Sequence, residues 1–495
     1  ENNEQLFLTA QHLEQYRHAT YSPVPYYEEA LKRDDKDFRC NNAIGLLYLR
    51  RGQFAKSEGY FRKAIETSIQ RNPNPYDTEP YYNLGLCLKF QDKLEEAYQS
   101  FYKATWGRAW KDSGFFAVAQ IDLARTDYPL ALEHITLAID SNASNSKSYV
   151  LKSAAYRNLG RSDQSIAVSN QALERDPFNL GALYELSVAY EIQDEKKQSA
   201  SALSELLKLS RGYEQNFIEY ALDYAAAGLN KEAMGLLLHA VKPTGTNPLV
   251  HYYLGWLNYK MQDEKAAIAQ LKLAAAADSY LCFPNRLEEI NVLKLAISLN
   301  PEDAKAPYYL GNLFYDKRQY DDAIAYWELS AELDGSFPTT LRNLGIAYFN
   351  KRNDEQKALA CFEKAFKLDS TDDRLCMELH QLYKRLNYSP AKRREFLEAN
   401  LKTALERDDL YLEWVTIHNA LGEYEKAFEL VTTRQFHPWE GGEGKASGQY
   451  VFSLVEMAKQ RITIGEYTNA INFLNSAQSF PHNLGEGKLF GAQEN

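Results

Sequence analysis

A chain of 495 residues exceeds the size at which one compact core keeps growing, so it is either several domains or one elongated repeat array. Its 67 acidic against 56 basic side chains, a net charge of -11 and an isoelectric point near 5.5 argue against phosphate-backbone binding as the main role, so nucleic acid is not an expected partner. No apolar run approaches the roughly 18 residues of a membrane span and Glu1-Asn2-Asn3-Glu4 is no signal peptide, which sets the expectation of a soluble, cytoplasmic chain with no membrane partner. The first residue is not Met, and Gly491-Ala492-Gln493-Glu494-Asn495 stops where another helix is due, so the chain reads as a fragment of a longer protein. Its five cysteines, Cys40, Cys87, Cys282, Cys361 and Cys376, are odd in number and lack C-x-x-C spacing, as reduced core thiols would be.

Along the chain, small residues return at a fixed interval. Ala97, Ala131, Ser165, Ser199, Ala233 and Ala267 are each 34 residues apart, and Ala104, Ala138, Ala172, Leu206, Ala240 and Ala274 follow seven positions later. Upstream, Leu84-Gly85, Leu254-Gly255, Leu310-Gly311 and Leu344-Gly345 stand where a first helix must let a second approach, because a larger side chain would push paired helices beyond about 8–10 Å. Tyr48, Tyr156, Tyr190, Tyr224 and Tyr348 are placed to fill the space between hairpins, and Pro177 and Pro301 to end second helices. Extending the register gives Pro23, Ser57 and, after an insertion at Asn72-Pro73-Asn74-Pro75, Ala97; downstream it gives Glu289, Ala323, Ala358, Lys392, Ala427 and Ala470.

A 34-residue period of this kind closely resembles the tetratricopeptide repeat, over nearly the whole chain. The resemblance implies an all-α solenoid of about a dozen helical hairpins forming a superhelix, whose work is binding. One step is short: only 22 residues separate Ala267 from Glu289, and Tyr280-Leu281-Cys282-Phe283-Pro284-Asn285 replaces most of a first helix. That predicts a helix from about Arg286 to Leu299, unpaired in the usual hairpin sense, a kink in the stack, and two sub-arrays, 1–283 and 284–495. A narrower likeness is carried by four further strings. They are His12-Leu13-Glu14-Gln15-Tyr16-Arg17-His18-Ala19-Thr20-Tyr21, Ala104-Thr105-Trp106, Cys282-Phe283-Pro284 with Arg286-Leu287-Glu288-Glu289, and His437-Pro438-Trp439-Glu440-Gly441-Gly442-Glu443-Gly444-Lys445. These resemble the helical C-terminal half of bacterial proteins with an N-terminal β-sandwich domain linked to carbohydrate utilisation. That resemblance implies a partner in the missing domain or a carbohydrate-related ligand.

If first helices line the concave groove, the helical period turns Tyr82, Phe116, Tyr184, Tyr252, Trp256, Tyr259, Tyr308, Tyr315 and Phe349 inward as an aromatic strip. Flat rings suit apolar peptide anchors, sugar rings or a docked domain. The carboxylate clamp by which some members of the family hold chaperone tails needs Lys and Asn on the first helices, but Asn42 and Leu46 hold the corresponding positions here.

Catalytic signatures are wanting. The nine histidines make no H-E-x-x-H or metal-spaced cluster, and neither a nucleophile elbow nor a phosphate loop occurs in a strand-to-helix context, so no cofactor or catalytic residue is expected of this fragment. The alternative is the helical half of a carbohydrate-active enzyme whose catalytic domain lies elsewhere. Asp140-Ser141-Asn142-Ala143-Ser144-Asn145 lacks the glycine and the bidentate Glu of a calcium loop and reads as a hairpin connection. Tyr102-Lys103-Ala104-Thr105-Trp106-Gly107-Arg108-Ala109-Trp110-Lys111 is either a helix end packed on its neighbour or a cation-rich loop able to hold an anion or a ring. Near the end of the chain, Gly442-Glu443-Gly444-Lys445 recurs 43 residues later as Gly485-Glu486-Gly487-Lys488. Convergent N–H groups, a following helix start and the two lysines make a seat for a carboxylate, a phosphate or an acidic partner loop. The expected loop site is His437, Trp439, Glu443, Lys445, His482, Glu486 and Lys488, with both loops on one edge of the stack.

Overall fold

In the computed structural model the described residues are 2–16, 21–437 and 439–486. They form 28 α-helices packed as successive antiparallel hairpins, with no strand among them. The period in the sequence is the reason. All six small residues of the 34-residue register are buried, five of them completely, and each lies on a second helix facing the first. The partner positions on the first helices are as tight: a Cβ on Gly45 would lie 2.8 Å from Phe61, on Gly85 2.5 Å from Phe101, and on Gly255 2.7 Å from Leu271. A glycine on one helix therefore seats a large side chain of the other, and the pair conserves volume. One repeat solves the same problem with hydroxyls. Ser153 stands where Gly85 stands two repeats earlier, and its Oγ lies 2.8 Å from Ser165 Oγ and 2.7 Å from Ser169 Oγ, all three fully buried.

The turn inside each hairpin also repeats, in a way the residue types do not announce. Positions 92, 126, 160, 194, 228 and 262, again 34 apart, all have positive φ. Glycine supplies that conformation at Gly160 and Gly228, but Thr126 adopts φ 62°, where a β-branched residue is strained. Gly228 is needed twice over, since a Cβ there would lie 2.7 Å from the Ala124 backbone.

The helices gather into two compact units, Glu1–Tyr326 and Trp327–Asn495, so the division falls some forty residues beyond the expected break at 283/284. At that expected break a helix does run from Glu288 to Leu299, packed on helices Pro248–Lys260 and Lys305–Asp316. The segment before it takes the room of the missing helix by burying Cys282 at 2 % exposure. Glu289 then pins the corner, accepting from the Asn285 and Arg286 amides at 2.6 and 2.8 Å and from Tyr253 Oη at 3.0 Å.

Unit 1 closes on itself. Asn291 Nδ2 donates to Phe90 O at 3.4 Å, Gln319 Nε2 donates to Arg51 O, and Gly52 sits directly against Ile290. Half-buried in this unit, Lys89 donates to Gln120 Oε1 at 2.9 Å. Burial pushes the Lys89 ammonium down to about 8, with Glu288 and Asp223 drawing it upward and Lys260 opposing them.

Candidate functional site

The aromatic residues expected to form one strip have different fates. Tyr252 is fully buried and donates to Asp303 Oδ2 at 2.7 Å, and Tyr184 and Tyr308 are 8 % exposed. These three are core, because the first helices carry a buried flank on both sides of the inward position. Tyr82 is half-buried and stacked on Trp110, with ring centroids 4.8 Å apart. Phe116, Trp256, Tyr315 and Phe349 are half-buried and Tyr259 is exposed. Trp110 thus belongs to packing, while Trp106 stays 59 % exposed under the Lys103 ammonium, 3.5 Å from its ring.

The glycine-rich loops do come together. Gly444 has φ 75° and caps helix Lys445–Thr463. Glu486, from the second copy, places its carboxylate over that helix start: Oε2 accepts from Gly444 N at 2.7 Å and Oε1 from Ser447 N at 2.9 Å. The expected seat for an acidic group therefore holds the chain's own glutamate, where the helix dipole and unpaired N–H groups favour negative charge. The approach is fixed by Asn483, whose Nδ2 donates to Val431 O and Arg434 O at 2.9 and 2.8 Å, and by Leu484, buried beside Phe436 and Ala446. Trp439 lies on Gly442, where a Cβ would fall 2.1 Å from the indole. His437 is exposed, and its amide and Nδ1 reach Asp408 Oδ2 at 2.9 and 3.1 Å. Burial works to raise the Asp408 carboxyl, yet the His437 amide and Arg434 hold it below the usual range. Glu443, Lys445 and His482 are exposed, and Lys488 lies outside the described residues.

Beside the first loop is a cleft of about 330 Å³, lined by helices Asp373–Arg385, Asp408–Ala420 and Lys445–Thr463. Its chemistry comes from a departure from the repeat. His380 and Arg393 stand 35 residues after Gly345 and Ala358, so a histidine and an arginine occupy the places where small residues normally meet. The register expected Lys392 here, but Lys392 is exposed and Arg393 is buried. The extra turn residue, with Asn387 at φ 59° followed by Tyr388 before the Ser389 cap, moves the register by one.

His380 is completely buried, and neither of its ring nitrogens has a hydrogen-bond partner. Arg393, 8 % exposed, leaves Nε and Nη1 without one, although Nη1 lies 3.7 Å from Glu413 Oε2. Lys384 Nζ reaches Glu413 Oε1 at 2.7 Å. Burial pushes the His380 imidazole down to about 4, with Glu413 pulling upward and Arg393 and Lys384 adding to the fall. His380, Lys384 and Glu413 line the cleft together with Trp439, Gly444 and Lys445. The first three were missed by a reading that looked for aromatics; a charged pair at a small–small position was the available signal. No group of three or more His, Cys, Asp or Glu able to hold a metal occurs among the described residues.

Models described as tetratricopeptide repeat match residues 24–75, 78–105, 146–179 and 290–339. Among solved structures, the chain is similar to MamA from residue 41 onward of Desulfovibrio magneticus RS-1, at 20 % identity over 36 % of this chain and 96 % of that one, with a TM-score of 0.32. It is similar to a tetratricopeptide repeat protein from Parabacteroides merdae ATCC 43184, at 16 % identity over 55 % and 98 % of the two chains, with a TM-score of 0.34. A third likeness is to a structure of Naa15/Naa10 bound to HypK-THB, at 15 % identity over 96 % and 76 %, with a TM-score of 0.29. With these family matches and helical hairpins repeating at 34 residues, the chain carries tetratricopeptide repeats.

Proposed function

We propose that the chain is a binding scaffold and that the cleft of unit 2 receives a segment of a partner protein. The carrying observation is the buried His380–Arg393 pair with its unpartnered nitrogens beside the cleft. Two polar side chains at a position built for small ones weaken the hairpin, since an unsatisfied buried group costs about 1–3 kcal/mol. Such a cost is kept where a site is made, and the cleft faces three successive first helices, the surface on which these repeats bind. A volume near 330 Å³ suits one or two side chains of an extended segment, with Lys384 and Lys445 offering donors and Glu413 an acceptor. The narrower reading, a partner domain or ligand linked to carbohydrate utilisation, rests on the four sequence strings alone.

The test is a peptide-library selection on the full chain, followed by binding to Lys384→Glu. Peptides selected on the native chain are expected to lose at least about tenfold in affinity, the scale of one charge-assisted contact. Equal binding to both proteins would move the site elsewhere.

A further inference from the structure

A second cavity, of about 200 Å³, lies within unit 1 between helix Ser146–Asn158, the start of helix Leu180–Ile192 and helix Glu214–Ala226. Its walls are mixed: Val150, Leu151 and the Tyr220 ring are apolar, while Lys147, Asn179 and Asp223 bring polar groups. Most polar atoms around it are engaged. Glu219 accepts from Arg286 Nη1 at 2.5 Å and from Gln215 Nε2 at 2.8 Å, and Tyr224 Oη donates to Glu185 Oε1 at 2.8 Å.

Asn179 is the exception. It caps helix Leu180–Ile192 through Oδ1, which accepts from Ala182 N at 3.0 Å. Its Nδ2 has no partner, although the residue is only 1 % exposed. The other polar feature is the ion pair of Lys147 Nζ with Asp223 Oδ1 at 2.7 Å, which joins helices 76 residues apart.

We propose that this cavity is a binding site for a primary carboxamide, whose oxygen accepts from Asn179 Nδ2 and whose amide nitrogen donates to the Asp223 carboxylate. The alternatives fit less well. A carboxylate would meet Asp223 and Glu219, two acids against Lys147 in the lining. An ammonium would leave the Asn179 donor unsatisfied, which costs about 1–3 kcal/mol. The volume is below the roughly 300–1,000 Å³ of drug-sized sites, so it accepts a fragment the size of one amide side chain. The amide can come from a free amino acid or from an Asn or Gln side chain of a bound polypeptide, and the chemistry of recognition is the same.

The experiment is a titration of the full chain, followed by ligand-observed NMR, with L-glutamine, with L-glutamate, and with each of the two blocked as the N-acetyl methylamide. Saturable binding of an amide at least tenfold tighter than its acid counterpart is expected. Preference for the free amino acid identifies a metabolite, and preference for the blocked form a polypeptide side chain. Asn179→Ser keeps a capping oxygen and removes the carboxamide donor without adding charge beside Asp223 and Glu219, so it should lose at least tenfold in amide binding while the melting temperature stays within a few degrees. No saturable binding of either amide, equal binding of acid and amide, or equal binding by Asn179→Ser would overturn the assignment.

Discussion

His380 shows what a single residue does when it occupies a place the repeat reserves for glycine. Its imidazole is excluded from water, feels the charges of Glu413, Arg393 and Lys384, and is pushed down to about 4 chiefly by burial. The unfolded chain takes up a proton near pH 6.5, which the folded unit refuses until near pH 4. Stability from this group is therefore intact above pH 6.5 and falls as pH drops from there toward 4. Between pH 7 and pH 5 the loss should be about 2 kcal/mol, at 1.36 kcal/mol per unit. His380→Leu removes the titrating group, so urea denaturation of the variant at the two pH values should lack that part of the difference. An unchanged difference would mean that the histidine is solvated.

At the scale of an element, the glycine-rich loops act through one helix start. The Lys445 amide bonds Gly442 O at 3.0 Å, whereas the Gly444 and Ser447 amides at this helix start are taken by Glu486 at 2.7 and 2.9 Å. A capping carboxylate of this kind contributes about 0.5–2 kcal/mol. Glu486→Ala should therefore destabilise unit 2 by about 1 kcal/mol and speed hydrogen exchange at the Gly444 and Ser447 amides, while helix Tyr467–Ala477 exchanges as before. Exchange at those two amides that stays slow would mean that another group caps the helix. The position of Glu486 was half legible in the sequence. The repeated Gly-Glu-Gly-Lys announced a paired function and an anion seat, but not that one copy would fill the other, since this depends on Asn483 and Leu484 turning the chain back onto Phe436.

At the scale of the molecule, unit 1 departs from the rule that a repeat touches only its neighbours. The hairpin turn at Gly52 meets Ile290, more than two hundred residues away, with room for no Cβ: one would lie 2.5 Å from Ile290 Cδ1. Gly52 also has φ 76°, so alanine there is strained by about 1–2 kcal/mol before any overlap. In an open stack Gly52→Ala would loosen only adjacent hairpins. Here it should raise hydrogen exchange in helix Glu288–Leu299 as well, measured by mass spectrometry on the intact chain. Unchanged protection of that helix would show that the closing contact carries no energy. Unit 2 holds the candidate cleft, and its helices carry their own core around Tyr411, Phe436, Tyr450 and Leu454.

Local regularity is what the sequence alone determined. A 34-residue spacing of Ala, Ser and Gly dictates hairpins, because small residues are the condition for two helices to approach, and that condition is written residue by residue. The failing step between Ala267 and Glu289 was legible for the same reason, and a helix from Glu288 followed it. Tertiary structure decided which aromatics are core, since Tyr252 and Trp256 share a helix and an aromatic ring but only the first is fully buried. It also decided the sites. His380 and Glu413 come to line one cleft, Asn179 and Asp223 one cavity, and Glu486 reaches Gly444 only when separate repeats are stacked, and no period along one helix encodes the pairing of side chains drawn from different ones.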